Sequence, residues 1–146
     1  MNRQDLHRFR LWSVDVHRYM NIAMHHFAMN CDGEFCIIKP RARDRIKNYH
    51  LKPEMCTARH DEHHRLIYEA DILKTPMGNG VVYWDNDSFC FQALLWIGRV
   101  GNTMTHFFHD GQFEIIGNVH DWDAREKLDP SVYGMIEFYG GSVCPE

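Results

Sequence analysis

The sequence predicts a mainly β fold, a small barrel or sandwich with little helix. Two observations lead there: about seven short apolar segments, several of them alternating at period two, and tight-turn residues between them. Arg8-Phe9-Arg10-Leu11-Trp12 alternates basic and apolar residues, as a half-buried strand does. Residues 22–29 and 34–38 flank Asn30-Cys31-Asp32-Gly33, whose Asp-Gly pair supplies the positive φ angles of a tight hairpin. Residues 67–73 and 81–84 flank Thr75-Pro76-Met77-Gly78-Asn79-Gly80, a turn by its proline and glycine content. Asp85-Asn86-Asp87 marks another turn. It leads into a strand over 89–96, with Phe89, Phe91, Ala93 and Leu95 on one face. Residues 114–120 make a further strand, in which Gly117 marks a bulge or a close backbone approach. Asp123 is placed to cap a short C-terminal helix, with Glu126 completing a capping box and Pro130 limiting its length. Residues 133–139 add a last strand.

A chain of 146 residues is most simply one domain, 1–146, and its 45% hydrophobic and 25% charged residues are a globular balance rather than a disordered one. The longest apolar runs, 81–84 and 93–97, are far too short to cross a bilayer. Arg3, Asp5, His7, Arg8 and Arg10 stand where a signal peptide would need an apolar stretch, so the chain reads as cytosolic. Cys31, Cys36, Cys56, Cys90 and Cys144 form no CxxC pair, and reduced thiols are expected. The net charge of −4 is uneven: residues 1–65 carry twelve Lys or Arg against eight Asp or Glu, and residues 66–146 carry four against twelve. That asymmetry suits an anion-binding surface, a head-to-tail contact between subunits, or two solvated faces of opposite sign.

The sharpest local pattern is Lys39-Pro40-Arg41-Ala42-Arg43-Asp44-Arg45-Ile46-Lys47, with a basic residue at every second position. In an extended chain Lys39, Arg41, Arg43, Arg45 and Lys47 would point to one side, where guanidinium groups suit phosphates. The plainer reading is a charged edge that keeps a strand soluble. Tyr49, just after the run, is the first choice for stacking a base, and Trp12, Tyr19, Tyr83, Trp84 and Trp96 are further candidates, most of them expected in the core.

Cys56, His60, His63 and His64 are close enough in sequence to be candidate metal ligands, with His60 and His64 sharing a face if the segment is helical. No second pair stands at zinc-like spacing, so no metal and no cofactor are assigned. Glu69 and Asp71 would share a strand face and could form an acid/base pair, but a carboxylate accepting backbone N–H groups at a strand end has the same spacing. There is no GxSxG, no phosphate-binding P-loop and no GxGxxG.

Four of these segments, in this order and spacing, resemble the YopX family of phage and prophage proteins. They are Arg8-Phe9-Arg10-Leu11-Trp12 followed by Met20; Ile67-Tyr68-Glu69-Ala70-Asp71-Ile72, preceded by Thr57 and Asp61; Val82, Trp84 and Asp85; and Glu114, Ile116, Gly117 and Asn118. The resemblance spans residues 8–122, loosely over 30–54, and leaves 129–146 outside. The family's glycines fall on Ala58, His64 and Ala70, so the turn before Ile67 is expected to take a different shape. The resemblance implies a small SH3-like β-barrel with hairpin additions, and a protein acting in the cytoplasm of an infected bacterium. The expected function is non-enzymatic: a host-interaction or anti-defence factor that binds an anionic, nucleotide-like small molecule or a host defence protein. A nucleic-acid-binding accessory protein of phage replication or regulation is the alternative. A nucleotide hydrolase working through Glu69 and Asp71, or through the histidines, is the third reading.

Overall fold

The computed structural model describes residues 9–14, 16–20, 26–29, 35–38, 51–97, 102–128 and 132. They form eleven strands and one short helix, α1 (Trp122–Arg125), so the fold is mainly β as expected. Among the described residues no helix is long and apolar enough to cross a membrane. Contacts gather the chain into two compact units, Leu6–Met55 and a second from Cys56 onward.

In the first unit β1 (Phe9–Ser13) lies antiparallel between β2 (Arg18–Tyr19) and the first half of β5 (Leu51–His60). The alternation in 8–12 does what it predicted: Leu11 is fully buried and packs with Leu51, Phe9 and Met20. On the other register, Arg10 Nε donates to Glu54 Oε2 at 2.6 Å, directly opposite it on β5, and its guanidinium lies 4.5 Å from the Tyr19 ring centre. Tyr19 Oη donates to the same Glu54 oxygen, and Trp12 meets the Tyr19 ring edge-on. Both rings therefore have structural work in this unit. β3 (His26–Met29) and β4 (Phe35–Ile38) pair antiparallel, as the Asp32-Gly33 hairpin requires, although the turn itself lies outside the described residues.

The second unit is organised by a five-stranded antiparallel sheet. Its order is β10 (Asn102–His106), β9 (Cys90–Ile97), β8 (Gly78–Asp85), β7 (Asp71–Thr75), β11 (Glu114–Asn118). Alternate residues of the central strands point to opposite faces, and both faces are covered. Ile72, Val81, Tyr83 and Leu94 pack under Val119, Ala124, Leu128 and Val132. Leu73, Val82 and Ala93 pack against Ile67, Phe108 and Phe113 on the other side. Cover on both sides turns the middle strands into continuous apolar runs. Thr75 pairs with Gly78, so the hairpin turn is Pro76-Met77, and the Thr75 hydroxyl donates to the Gly78 carbonyl.

Four details differ from the sequence reading. Residues 67–73 are not one strand: β6 (Leu66–Tyr68) ends, Glu69-Ala70 turns, and β7 begins. Ala70 makes the corner with φ 71°, its N–H donating to Val82 O and its carbonyl accepting from Val119 N. Phe89 is not on the core face; it sits in the β8–β9 turn with φ 52° and is 78% exposed. The cap of α1 is Asp121 rather than Asp123: its carboxylate accepts the Asp123 N–H and its carbonyl the Arg125 N–H.

The fourth concerns the family's glycine positions. The backbone stays left-handed at all three, with φ 59° at Ala58, 62° at His64 and 71° at Ala70. Ala58 belongs to a bulge in β5, where the register against β6 shifts between Cys56 and His60. The Thr57 hydroxyl spans it, donating to Ile67 O and accepting the Arg59 N–H. A side chain in this region of φ costs about 1–2 kcal/mol. Ala58→Gly and His64→Gly, both at exposed positions, are therefore expected to raise stability by about 1 kcal/mol each in chemical denaturation. Ala70→Gly should gain little, because it also removes a buried methyl worth about 0.8 kcal/mol.

Candidate functional site

The described residues that concentrate polar chemistry are the 60–65 turn and the strand start at Glu114. Asp61 organises both. Its side chain is fully buried, and Oδ1 accepts the N–H groups of His63 (3.0 Å) and Arg65 (2.8 Å). Oδ2 accepts Arg65 Nε (2.8 Å) and the Ile115 N–H (3.2 Å), and Arg65 Nη2 stands 2.7 Å away. Burial alone would raise this carboxyl. The hydrogen bonds from the Arg65 backbone and guanidinium, and from the Ile115 and His63 backbone, outweigh it and hold the pKa at about 2. Arg65 Nη2 also donates to Ile115 O, and Glu62 N–H donates to Phe113 O. The turn and the 113–115 segment are thus tied by three hydrogen bonds across a wide sequence gap.

Above that clamp, Glu62, His63 and Glu114 bring their side chains together. His63 Nε2 stands 3.5 Å from Glu62 Oε1 and 3.6 Å from Glu114 Oε1. Glu62 and Glu114 also line a cleft of about 420 Å³ with Lys74, Thr75, Pro76, Gln112 and Phe113. Two carboxylates on its wall against one lysine make the cleft a better host for a cation, or for a ligand carrying one, than for a bare anion.

The four metal candidates from sequence do not converge. Cys56 and His60 lie on β5, and the 60–64 segment is a strand end and a turn, so His60 and His64 share no helix face. His60 instead pairs with Asp110, whose carboxylate takes its backbone N–H at 2.6 Å and approaches Nδ1 at 3.2 Å. Those bonds hold the exposed Asp110 carboxyl below its ordinary value. Among the described residues, only His63 of the four joins a cluster of potential ligands, and its companions are carboxylates. Glu62 and Glu114 escaped sequence reasoning because they are brought together by the turn's hydrogen bonds to Phe113 and Ile115 rather than by spacing.

Asp71 is almost fully buried and accepts the Tyr68 N–H at 2.7 Å. With Glu69 in the turn and Asp71 opening β7, the two do not alternate along one strand. Asp85 accepts the Asp87 N–H and Gln92 Nε2, closing the β8–β9 turn from inside. Trp84 is partly exposed and stacks edge-on against Phe91 across the same hairpin. Cys56 and Cys90 are free thiols. Lys39, Arg41, Arg43, Arg45, Lys47 and Tyr49 lie outside the described residues.

No curated protein and no solved structure matches the chain. A family model described as YopX protein matches residues 8–124, which covers the opening strand, the Asp61 turn, the sheet and the Gly117 bulge, and the chain accordingly belongs to the YopX family.

Proposed function

We propose that this chain is a non-enzymatic binding protein of a phage or prophage, acting in the cytoplasm of the infected bacterium as a host-interaction or anti-defence factor. Its ligand on this reading is an anionic, nucleotide-like small molecule, held by the basic run from Lys39 to Lys47. The observation that carries the reading is that motif carboxylates are engaged in architecture. Asp61 is saturated by backbone and arginine donors, and a carboxyl held at about 2 is a poor proton carrier near neutral pH. Asp71 is occupied by the Tyr68 N–H at a chain corner. Three of the described arginines are engaged too: Arg10 with Glu54, Arg59 with the Phe108 carbonyl and ring, Arg65 with Asp61. That leaves the alternating run at 39–47 as the densest positive charge in the sequence.

Isothermal titration of the full chain with cyclic di- and oligonucleotides tests the reading. Saturable heat with one of them is expected, and an Arg41→Ala/Arg43→Ala/Arg45→Ala variant should lose it. No heat with any of them would remove nucleotide sequestration. Retention on DNA or RNA that weakens steeply with salt, through counterion release, would favour the nucleic-acid alternative.

A further inference from the structure

We infer that Glu62, His63 and Glu114 form a site for a divalent transition metal of the zinc class. One donor atom from each lies within 4.8 Å of the others. His63 Nε2 stands 3.5 Å from Glu62 Oε1 and 3.6 Å from Glu114 Oε1, longer than the roughly 2.7–3.2 Å of a hydrogen bond. They match the edge of a donor tetrahedron instead. Metal–ligand bonds of about 2.0–2.2 Å in tetrahedral zinc sites place neighbouring donors about 3.3–3.6 Å apart.

The donor set selects the metal class. Calcium and magnesium take oxygen ligands, whereas an imidazole beside two carboxylates suits zinc or cobalt. Three protein donors leave one tetrahedral position for water or an exogenous group. Glu62 and Glu114 also line the cleft of about 420 Å³, so that group can come from a molecule lodged there. A dication on this wall would also offset the two carboxylate charges.

The backbone that carries the donors is already fixed. Buried Asp61 holds the N–H of His63 itself and of Ile115, next to Glu114, while Glu62 N–H is held by Phe113 O. Only exposed side-chain rotamers remain to be ordered on binding, which keeps the entropic cost low. The site goes beyond the nucleotide-binding reading and does not rest on it.

Titration of the full chain with zinc chloride, and with cobalt chloride as a spectroscopic probe, tests the site. The wild type is expected to take up a first equivalent of zinc that His63→Ala and Glu114→Gln each weaken by at least about 10–100-fold, the loss that even an outer-shell partner causes. The first cobalt equivalent should show visible ligand-field bands with no sulfur-to-metal charge transfer. His63 is 57% exposed, and thermal melting of both variants confirms that they remain folded. Unchanged zinc affinity in either variant, a thiolate charge-transfer band at the first cobalt equivalent, or no zinc uptake by the wild type would each overturn the assignment.

Discussion

Replacing Gly117 with alanine is expected to lower the stability of the chain by about 3 kcal/mol or more, from two independent causes. A Cβ built on Gly117 would sit 2.3 Å from the Ala124 Cβ and 3.1 Å from Asp121 Oδ2, far inside van der Waals contact. Its φ of 153° also lies in a region that side chains rarely enter. The bulge in β11 between Ile115 and Gly117 creates this conformation, and α1 comes down on the residue that has no side chain. Neither part can move cheaply: Asn118 and Asp121 tie the 118–123 turn by backbone and side-chain bonds, and Ala124 is buried in the core. A chain of this size loses roughly 2–4 °C of melting temperature per kcal/mol, so thermal melting should fall by roughly 6–12 °C. A melting point indistinguishable from the wild type would mean that α1 does not close on the bulge as described.

Asp61→Asn is expected to be comparably damaging, at about 3 kcal/mol. The amide keeps the shape of the carboxylate but replaces one acceptor with a donor, which must then face the N–H groups of His63 and Arg65 or those of Arg65 Nε and Ile115. The exposed half of the Arg65 side chain can rehydrate, which places the loss at the lower end of the range for broken buried pairs. The same group gives a pH signature. Its folded pKa of about 2 lies below the ordinary 3.8, so its contribution is fully present above 3.8 and is lost as pH falls through about 2. Chemical denaturation of the wild type between neutral pH and that range should show a fall in stability that is shallower in Asp61→Asn. Equal acid sensitivity of the two proteins would contradict the role given to Asp61.

Much of this architecture was legible in the sequence wherever the signal is local. The alternation in 8–12 marks a real half-buried strand, and Asp85-Asn86-Asp87 marks a turn whose first carboxylate bonds the residue two places on. Gly117 in a strand context pointed to a bulge or a close approach, and the structure has both. The resemblance to YopX proteins is borne out as family membership over residues 8–124.

Where the reading failed, the deciding contact was distant or the local chemistry was ambiguous. Ala70 carries no turn signal, so the apolar run around it read as continuous. Its corner is set by hydrogen bonds to Val82 and Val119, twelve residues away or more. His64 and Ala58 sit where glycine would be easier, and the Asp61 and Thr57 side chains hold the backbone there against that preference. Asp121 and Asp123 are both able to cap α1, and Glu126 pointed to the wrong one. Phe89 continues the period-two pattern in sequence, but the turn closing at Asp85–Cys90 leaves it outside the strand. Asp61 meets Ile115 across 54 residues, and Glu62 meets Glu114 by the same fold. No spacing rule reaches that far.

On the proposed reading there is a division of labour, in which the family pattern builds the framework and nucleotide binding is assigned to the basic run that the pattern leaves loose. The most direct measurement is calorimetric titration with the cyclic nucleotide panel, run beside thermal melting, on the wild type and the Arg41→Ala/Arg43→Ala/Arg45→Ala variant. The variant is predicted to melt with the wild type while losing the binding heat. Undiminished binding in the triple variant, or a wild type that binds none of the nucleotides, would contradict it.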